Sequence, residues 1–456
     1  MNRRRFVHTA GAGILTVAGG LWACQGSPTL PIPETRVGFK RLRRREARGA
    51  LTAGMDAAIE LGDDRRIEAW GYDGSTPGPV LRLRRGDTLD LTVRNALSQE
   101  TTVHWHGLLP PPEMDGHPAD SFAPGSTRRY AFPIDQRAGL SWYHPHPHRR
   151  VAEQVYRGLA GPILITDGQE DALGLPSGAD EHVLILGDGE LGAGSSLRYR
   201  SGTSSDRGGF PLVNGAAYPE ARISGSLQRL RIVNAARARV FELGTRPERP
   251  LAVIGNDGGL LDRAQRVDRV TLGPGERVDL LMDPRSPAGD TGPFDLWCFR
   301  TSWSLVAFNV LGGGRKPGDL LPDTPPVAPL PEPAPGAERT FRFEGHSRIN
   351  GTRFRMDQTA FRVPFGRTER WHFRSSGGTP HPIHVHGAHF QVESRRGGRG
   401  RVLPWERGWK DTVLLLNREE VSVRIRFDRY PGRYLLHCHR LEHEDEGMML
   451  NFEVEA

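Results

Sequence analysis

His437-Cys438-His439-Arg440-Leu441-Glu442-His443-Glu444-Asp445-Glu446-Gly447-Met448 is the stretch on which the reading of this chain turns. In a strand, successive side chains point to opposite faces. His437 and His439 therefore look to one side and the Cys438 thiol to the other, with His443 and Met448 on the turn that follows. One short segment thus offers donor atoms to two different places.

Three further clusters complete the pattern: His104-Trp105-His106-Gly107, Trp142-Tyr143-His144-Pro145-His146, and His381-Pro382-Ile383-His384-Val385-His386. Each His-x-His pair presents two imidazoles to one face, so the four pairs supply eight ring nitrogens. A single zinc takes four ligands, so eight nitrogens call for a small group of imidazole-preferring metals, copper foremost. The pairs come from the two ends of the chain, whereas the middle, with only His182, holds no such pair. The cluster is therefore expected between the first and last domains, with the middle one a spacer. His381 lies an odd number of residues from His384 and faces away from the cluster, as Cys438 does. Two histidines, a cysteine and a distant methionine form a blue-copper set. The main chain from Cys438 to either neighbour is then a short covalent route for electrons.

The remainder reads as β-structure. Glycine (56) and proline (36) interrupt the sequence every few residues, which favours short strands and turns. Alternating runs at Val80–Leu83, Thr88–Val93, Arg128–Phe132, Leu230–Val233, Arg277–Leu281 and Val421–Ile425 read as half-buried strands. A weak repeat joins Arg85-Gly86-Asp87 before a strand ending at Asn95, Leu227-Gln228-Arg229 before one ending at Asn234, and Phe365-Gly366-Arg367 before Trp371. Pro124-Gly125-Ser126 and Pro274-Gly275-Glu276 likewise each open a strand. These features predict an all-β chain of three domains, at 40–167, 180–312 and 337–456, with a Pro/Gly-rich linker at 313–336.

In order and spacing the four motifs resemble those of the multicopper oxidases. The likeness is to the three-domain bacterial group that includes spore-coat laccases, bilirubin oxidases and periplasmic cuprous oxidases, and it extends from about residue 40 onward. It implies three tandem cupredoxin-like Greek-key β-sandwich or barrel domains and four copper ions. Carried over, it makes His381, Cys438 and His443 the type 1 ligands, with Met448 axial, and gives His104 and His384 to the type 2 copper. It gives His106, His144 and His439 to one type 3 copper, and His146, His386 and His437 to the other. No family ligand is missing, so the copper-free division-associated relatives are a poor match. The family pattern starts directly after Trp142-Tyr143, which leaves His148 outside the set. His117, His182, His346, His372 and His389 are expected to be structural or surface residues.

Reducing dioxygen consumes protons as well as electrons. The resemblance puts Glu444, beside a type 1 ligand, on the oxygen path, and Asp115, in Met114-Asp115-Gly116, near the water channel of the type 2 copper. Either could instead orient a histidine. Asp411, in Trp409-Lys410-Asp411, is expected to border the type 1 site.

At the start, Arg3, Arg4 and Phe6 precede an apolar stretch, Ala10–Ala23, too short and glycine-rich to span a membrane. It resembles a twin-arginine (Tat) export signal over residues 1–24, which implies a periplasmic, extracellular or cell-surface protein. Cys24 at its end also resembles a lipoprotein acceptor, which would be the chain's one tie to a membrane. Cys298 reads as a core thiol. The charge of +7 is carried almost wholly by scattered arginines, without the basic face or reader motif of a nucleic-acid binder.

The expected function is laccase-like: one-electron oxidation of phenols or aromatic amines coupled to reduction of dioxygen to water. A metallo-oxidase of Mn(II), Fe(II) or Cu(I) is the alternative, although the seven methionines form no copper-gathering tract. A copper-binding electron carrier needs only one site, and a copper nitrite reductase lacks the paired type 3 ligands.

Overall fold

The computed structural model describes residues 30–192, 196–202, 208–312 and 320–456. The expected export signal and Cys24 lie outside them. The chain is nearly all β. Among the described residues no helix is long and apolar enough to cross a membrane.

The third unit shows how the sequence builds its core. One five-stranded sheet contains Glu338–Glu344, Thr368–Ser375, Glu420–Arg426 and Phe390–Arg396; the other contains Thr359–Pro364, Met449–Glu455, Gly432–Cys438, His381–Val385 and Thr412–Leu415. Alternate residues of each turn inward, and Phe341, Phe343, Trp371, Phe373, Phe390, Tyr434 and Phe452 fill the space between. The first unit packs Arg48–Gly62, Thr88–Asn95 and Thr127–Pro133 over a four-stranded sheet, around Leu91, Trp105, Tyr130, Tyr143 and Ile163. The middle unit has its own core, in which Cys298 is fully buried.

The repeat seen in the sequence is a repeat of hydrogen bonding. Asn95 closes its strand by accepting at its side chain from Leu97 N (3.0 Å), and Asn234 does the same for Ala236 N (3.0 Å). Gly125 N bonds Asn95 O at 2.7 Å and Gly275 N bonds Asn234 O at 2.9 Å. Both Pro-Gly turns thus hand the chain to an antiparallel partner at the same register, Thr127–Pro133 and Arg277–Met282.

The first and middle units are stitched by main-chain bonds. Ala216 pairs in parallel with Glu60, which runs one eleven-stranded sheet through both. Residues before the expected start at 40 also reach the middle unit, with Glu220 N bonding Val37 O at 2.8 Å.

Two middle strands depart from the half-buried expectation. Gln228–Asn234 and Arg277–Met282 are buried at every position. Their polar faces are covered by neighbouring units, and the arginines there are neutralised: Arg229 by Asp279 and Glu170, Arg231 by Glu181 and Glu170, Arg277 by Asp411. An alternating pattern signals a polar face, which water or a matching charge can cover.

Candidate metal centre

Two pairs of neighbouring segments carry the donors. In the first unit His104 and His144 form a β-bridge, with His104 N to His144 O at 2.8 Å and the reverse bond at 3.1 Å. In the third unit His384 lies across from His437 and Ile383 across from Cys438 on adjacent antiparallel strands. The strand alternation then sets His384 and His437 to one face and Cys438 to the other, as the spacing predicts.

On the first face three sets of ring nitrogens converge, the atoms within each set lying within 4.8 Å of one another: His104, His106 and His384; His106, His144 and His439; His146, His386 and His437. All eight histidines are at most 1% exposed as whole residues. Nitrogens of opposite units face each other directly, His104 Nε2 to His384 Nε2 at 3.2 Å and His146 Nε2 to His437 Nε2 at 3.4 Å. A metal about 2.0–2.1 Å from each of two imidazole nitrogens separates them by about this much. Buried ring nitrogens without a partner, among them His106 Nδ1, His144 Nε2 and both nitrogens of His439, point the same way. Burial, with mutual repulsion added, holds His106, His144, His146, His386, His437 and His439 well below the usual imidazole range. Neutral rings keep the lone pairs that metals need. The donor set fits copper.

Six of the eight rings are anchored at the nitrogen turned away from the centre. Asp115, of the first unit, accepts from His104 Nδ1 at its carbonyl (2.8 Å) and from His386 Nδ1 at Oδ2 (2.6 Å). Asp411, of the third unit, accepts from His384 Nδ1 at its carbonyl (2.9 Å) and from His106 Nε2 at Oδ1 (3.0 Å). Each aspartate thus holds a histidine of its own unit by main chain and one of the other unit by carboxylate. His144 and His437 donate to the carbonyls of Pro145 and Cys438. Such anchors fix tautomer and ring orientation.

Asp115 thus contacts two cluster histidines, and its Oδ1 is buried 3.4 Å from His104 Nδ1. Asp411 meets the multi-histidine set, with its carboxylate on His106 and its carbonyl on His384, at the end of the strand that pairs with His381–Val385. Burial alone would raise the Asp411 carboxyl, but the Arg277 guanidinium reverses this and holds it well below the carboxylate range. Glu444, on the short Leu441–Asp445 helix, is fully buried, with Oε1 3.3 Å from His146 Nε2 and Oε2 3.2 Å from His437 Nδ1. Desolvation pushes it above the usual carboxyl range, against the pull of the nearby histidines.

On the second face Cys438 Sγ lies 3.5 Å from His381 Nδ1 and 3.6 Å from His443 Nδ1. Met448 is buried and tied to the same turn, its N bonding His443 O at 2.8 Å and its O accepting from Cys438 N at 3.1 Å. Burial pushes the thiol up to about 12 and His381 down to about 4. A thiol so raised becomes a thiolate only when a metal displaces its proton.

The other histidines fall outside these sets. His148 packs on Phe354, His117 bonds Asn451, His182 bonds Gln228, His372 bonds Ser422 and His389 bonds Gly107 O. His346 stacks on His443, which no spacing rule signalled.

Models of multicopper oxidase domains match residues 56–170 and 324–456. The chain is 33% identical over 413 residues to bilirubin oxidase of Albifimbria verrucaria, covering 84% of this chain and 72% of that protein. It is also 33% identical over 489 residues to cell division protein FtsP of Sodalis glossinidius, covering 100% of this chain and 98% of that protein. Among solved structures, a laccase-like multicopper oxidase, CueO, from the lignin-degrading bacterium Ochrobactrum sp. superposes with a TM-score of 0.80 at 30% identity. That match covers 91% of this chain and 100% of the other.

Proposed function

This chain belongs to the multicopper oxidase family, and we propose that it acts as a laccase-like member of it. Phenolic or aromatic amine donors would give up electrons singly to a type 1 copper, which His381, Cys438, His443 and Met448 would hold. His104 and His384 would hold a type 2 copper, and His106, His144 and His439 with His146, His386 and His437 a type 3 pair, which together would supply the reduction of dioxygen to water. The domains keep the bounds 40–167, 180–312 and 337–456, and the protein is exported by its twin-arginine leader.

The observation that carries this reading is the two-sided strand end. Cys438 belongs to one donor set while His437 and His439, one peptide away on either side, belong to another. Bound copper would supply the one-electron redox steps and the binding site for dioxygen. The chain supplies the rest. The Cys438 main chain joins the two sites, and His439 N further ties them by bonding Pro382 O at 2.6 Å, next to His381. Asp115 and Asp411 orient four of the cluster imidazoles, and the Glu444 carboxyl, raised by burial, is placed to pass protons beside His146 and His437.

A role in cell division without catalysis, which the likeness to FtsP raises, gives no reason to bury eight imidazoles with converging nitrogens. An electron carrier leaves that set equally unexplained. The test is an oxygen-electrode screen of copper-loaded protein against phenols, aromatic amines, a redox mediator, Mn(II), Fe(II) and Cu(I), with copper counted per chain. Oxygen uptake with organic donors and about four coppers bears the proposal out. Uptake with metal ions alone makes it a metallo-oxidase, and one copper without uptake makes it a carrier.

A further inference from the structure

The middle unit contributes no ligand nitrogen, yet its 274–277 turn touches the cluster walls at two points. Gly275 (φ +84°) packs so closely that a Cβ there would lie 2.9 Å from His439 Cγ and 3.1 Å from His106 Cε1. Two residues on, the Arg277 side chain is fully enclosed and bonded to all three units. Its Nε donates to Leu140 O of the first unit at 3.1 Å, and its Nη2 to Asp257 O of the middle unit at 3.1 Å. To the third unit it presents a two-pronged grip on Asp411, Nη1 to Oδ1 at 2.7 Å and Nη2 to Oδ2. Gly107, directly after His106, leaves the room, since a Cβ there would lie 2.5 Å from Nη2.

The grip matters because of what Asp411 does. Its Oδ1 accepts from His106 Nε2 and from Thr412 Oγ1, and its carbonyl accepts from His384 Nδ1. With both carboxylate oxygens held by a planar fork, Asp411 has one orientation, and His106 has one tautomer, Nδ1 toward the cluster. The matching aspartate, Asp115, has no such clamp among the described residues; its Oδ1 has no hydrogen bond and lies 3.4 Å from His104 Nδ1. At the same three-unit junction Lys410 Nζ lies 2.8 Å from Asp257 Oδ2 and 3.3 Å from Glu276 Oε1.

We propose that Arg277 is a positioning residue for the multicopper cluster, acting through Asp411 on His106 and His384, so that the ligand-free middle unit sets the geometry of the metal site. The proposal rests on the oxidase reading. It differs from a merely structural ion pair in touching the metal-binding atoms through one intermediary, and the test turns on that difference.

Copper-loaded wild type, Arg277→Met, Arg277→Lys and Arg395→Met are titrated with a chelator. The readouts are copper per chain, the blue thiolate band and the magnetic signature of the coupled pair. Arg395 is an equally buried guanidinium, held by Glu406 and Glu419, none of whose bonded partners holds a cluster histidine. Arg277→Met is expected to keep the blue band but to lose the cluster signature at roughly tenfold lower chelator. Arg277→Lys, which keeps the charge without the fork, should fall between, and Arg395→Met should hold the signature despite a lower melting temperature. Wild-type retention in Arg277→Met, or equal loss in Arg395→Met, overturns the proposal. Should Arg277→Met fail to fold, an unaltered signature in Arg277→Lys does so. Wild-type protein with no coupled pair would instead overturn the oxidase reading, and the proposal with it.

Discussion

The imidazole of His346 lies over that of His443, with 5.0 Å between ring centroids and 18° between planes. His443 is 4% exposed whereas His346 is open to solvent, so a donor at this face meets the outer ring first. An aromatic donor can extend the stack. His346→Ala is expected to lower kcat/KM for phenols and aromatic amines about twofold to tenfold, the worth of one aromatic contact. His346→Phe should restore it, with the blue band unchanged in both. Faster turnover in His346→Ala would make His346 a lid instead.

The Glu444 carboxyl is enclosed between His146 and His437. Glu444→Gln keeps the size and removes the exchangeable proton. The blue colour is expected to stay while reoxidation of the reduced enzyme by dioxygen slows by roughly a hundredfold or more, as read by stopped flow. Unchanged reoxidation at full copper loading would remove Glu444 from proton handling.

Cys438→Ser should separate the two sites. Copper content is expected to drop by the type 1 ion alone, with the blue band gone, donor oxidation abolished and the coupled-pair signature retained. Loss of every copper would mean that the sites are not independent.

Met448 is buried beside the cysteine, and a thioether there donates weakly to the oxidised metal. Met448→Leu removes that donation and is expected to raise the type 1 potential in a redox titration. An unshifted potential would put the sulfur out of range.

Copper withdrawal should loosen the contact between the first and third units, because ligands come from both. Linkage gives about 4 kcal/mol of stabilisation when free copper is a thousand times its dissociation constant. A calorimetric scan of chelated protein is therefore expected to melt lower, and equal scans would argue that the donors are not held by metal.

Much of the site was legible because it rests on parity. Whether His381, His384, His386, His437, Cys438 and His439 face one way or the other follows from counting along two strands, and the geometry agrees at each. The clustering of four short motifs is likewise local information. What the sequence hid lies across unit boundaries. Arg277 and Asp411 are 134 positions apart, and no periodicity connects a turn in one unit to a strand in another. Arg277 and its neighbours read as the polar edge of a half-exposed strand, since a charge facing water and one facing an opposite charge leave the same pattern. His346 was set aside for a related reason: a lone histidine in a loop has no spacing to give it away.

His104 and His384, whose nitrogens face each other, are 280 residues apart. A ribosome must pass residue 384 before the first of the three histidine sets has all its members, and residue 439 before every set does. A half-folded product would offer only partial sites, so copper retention would double as an inspection of the folded contact between the two units.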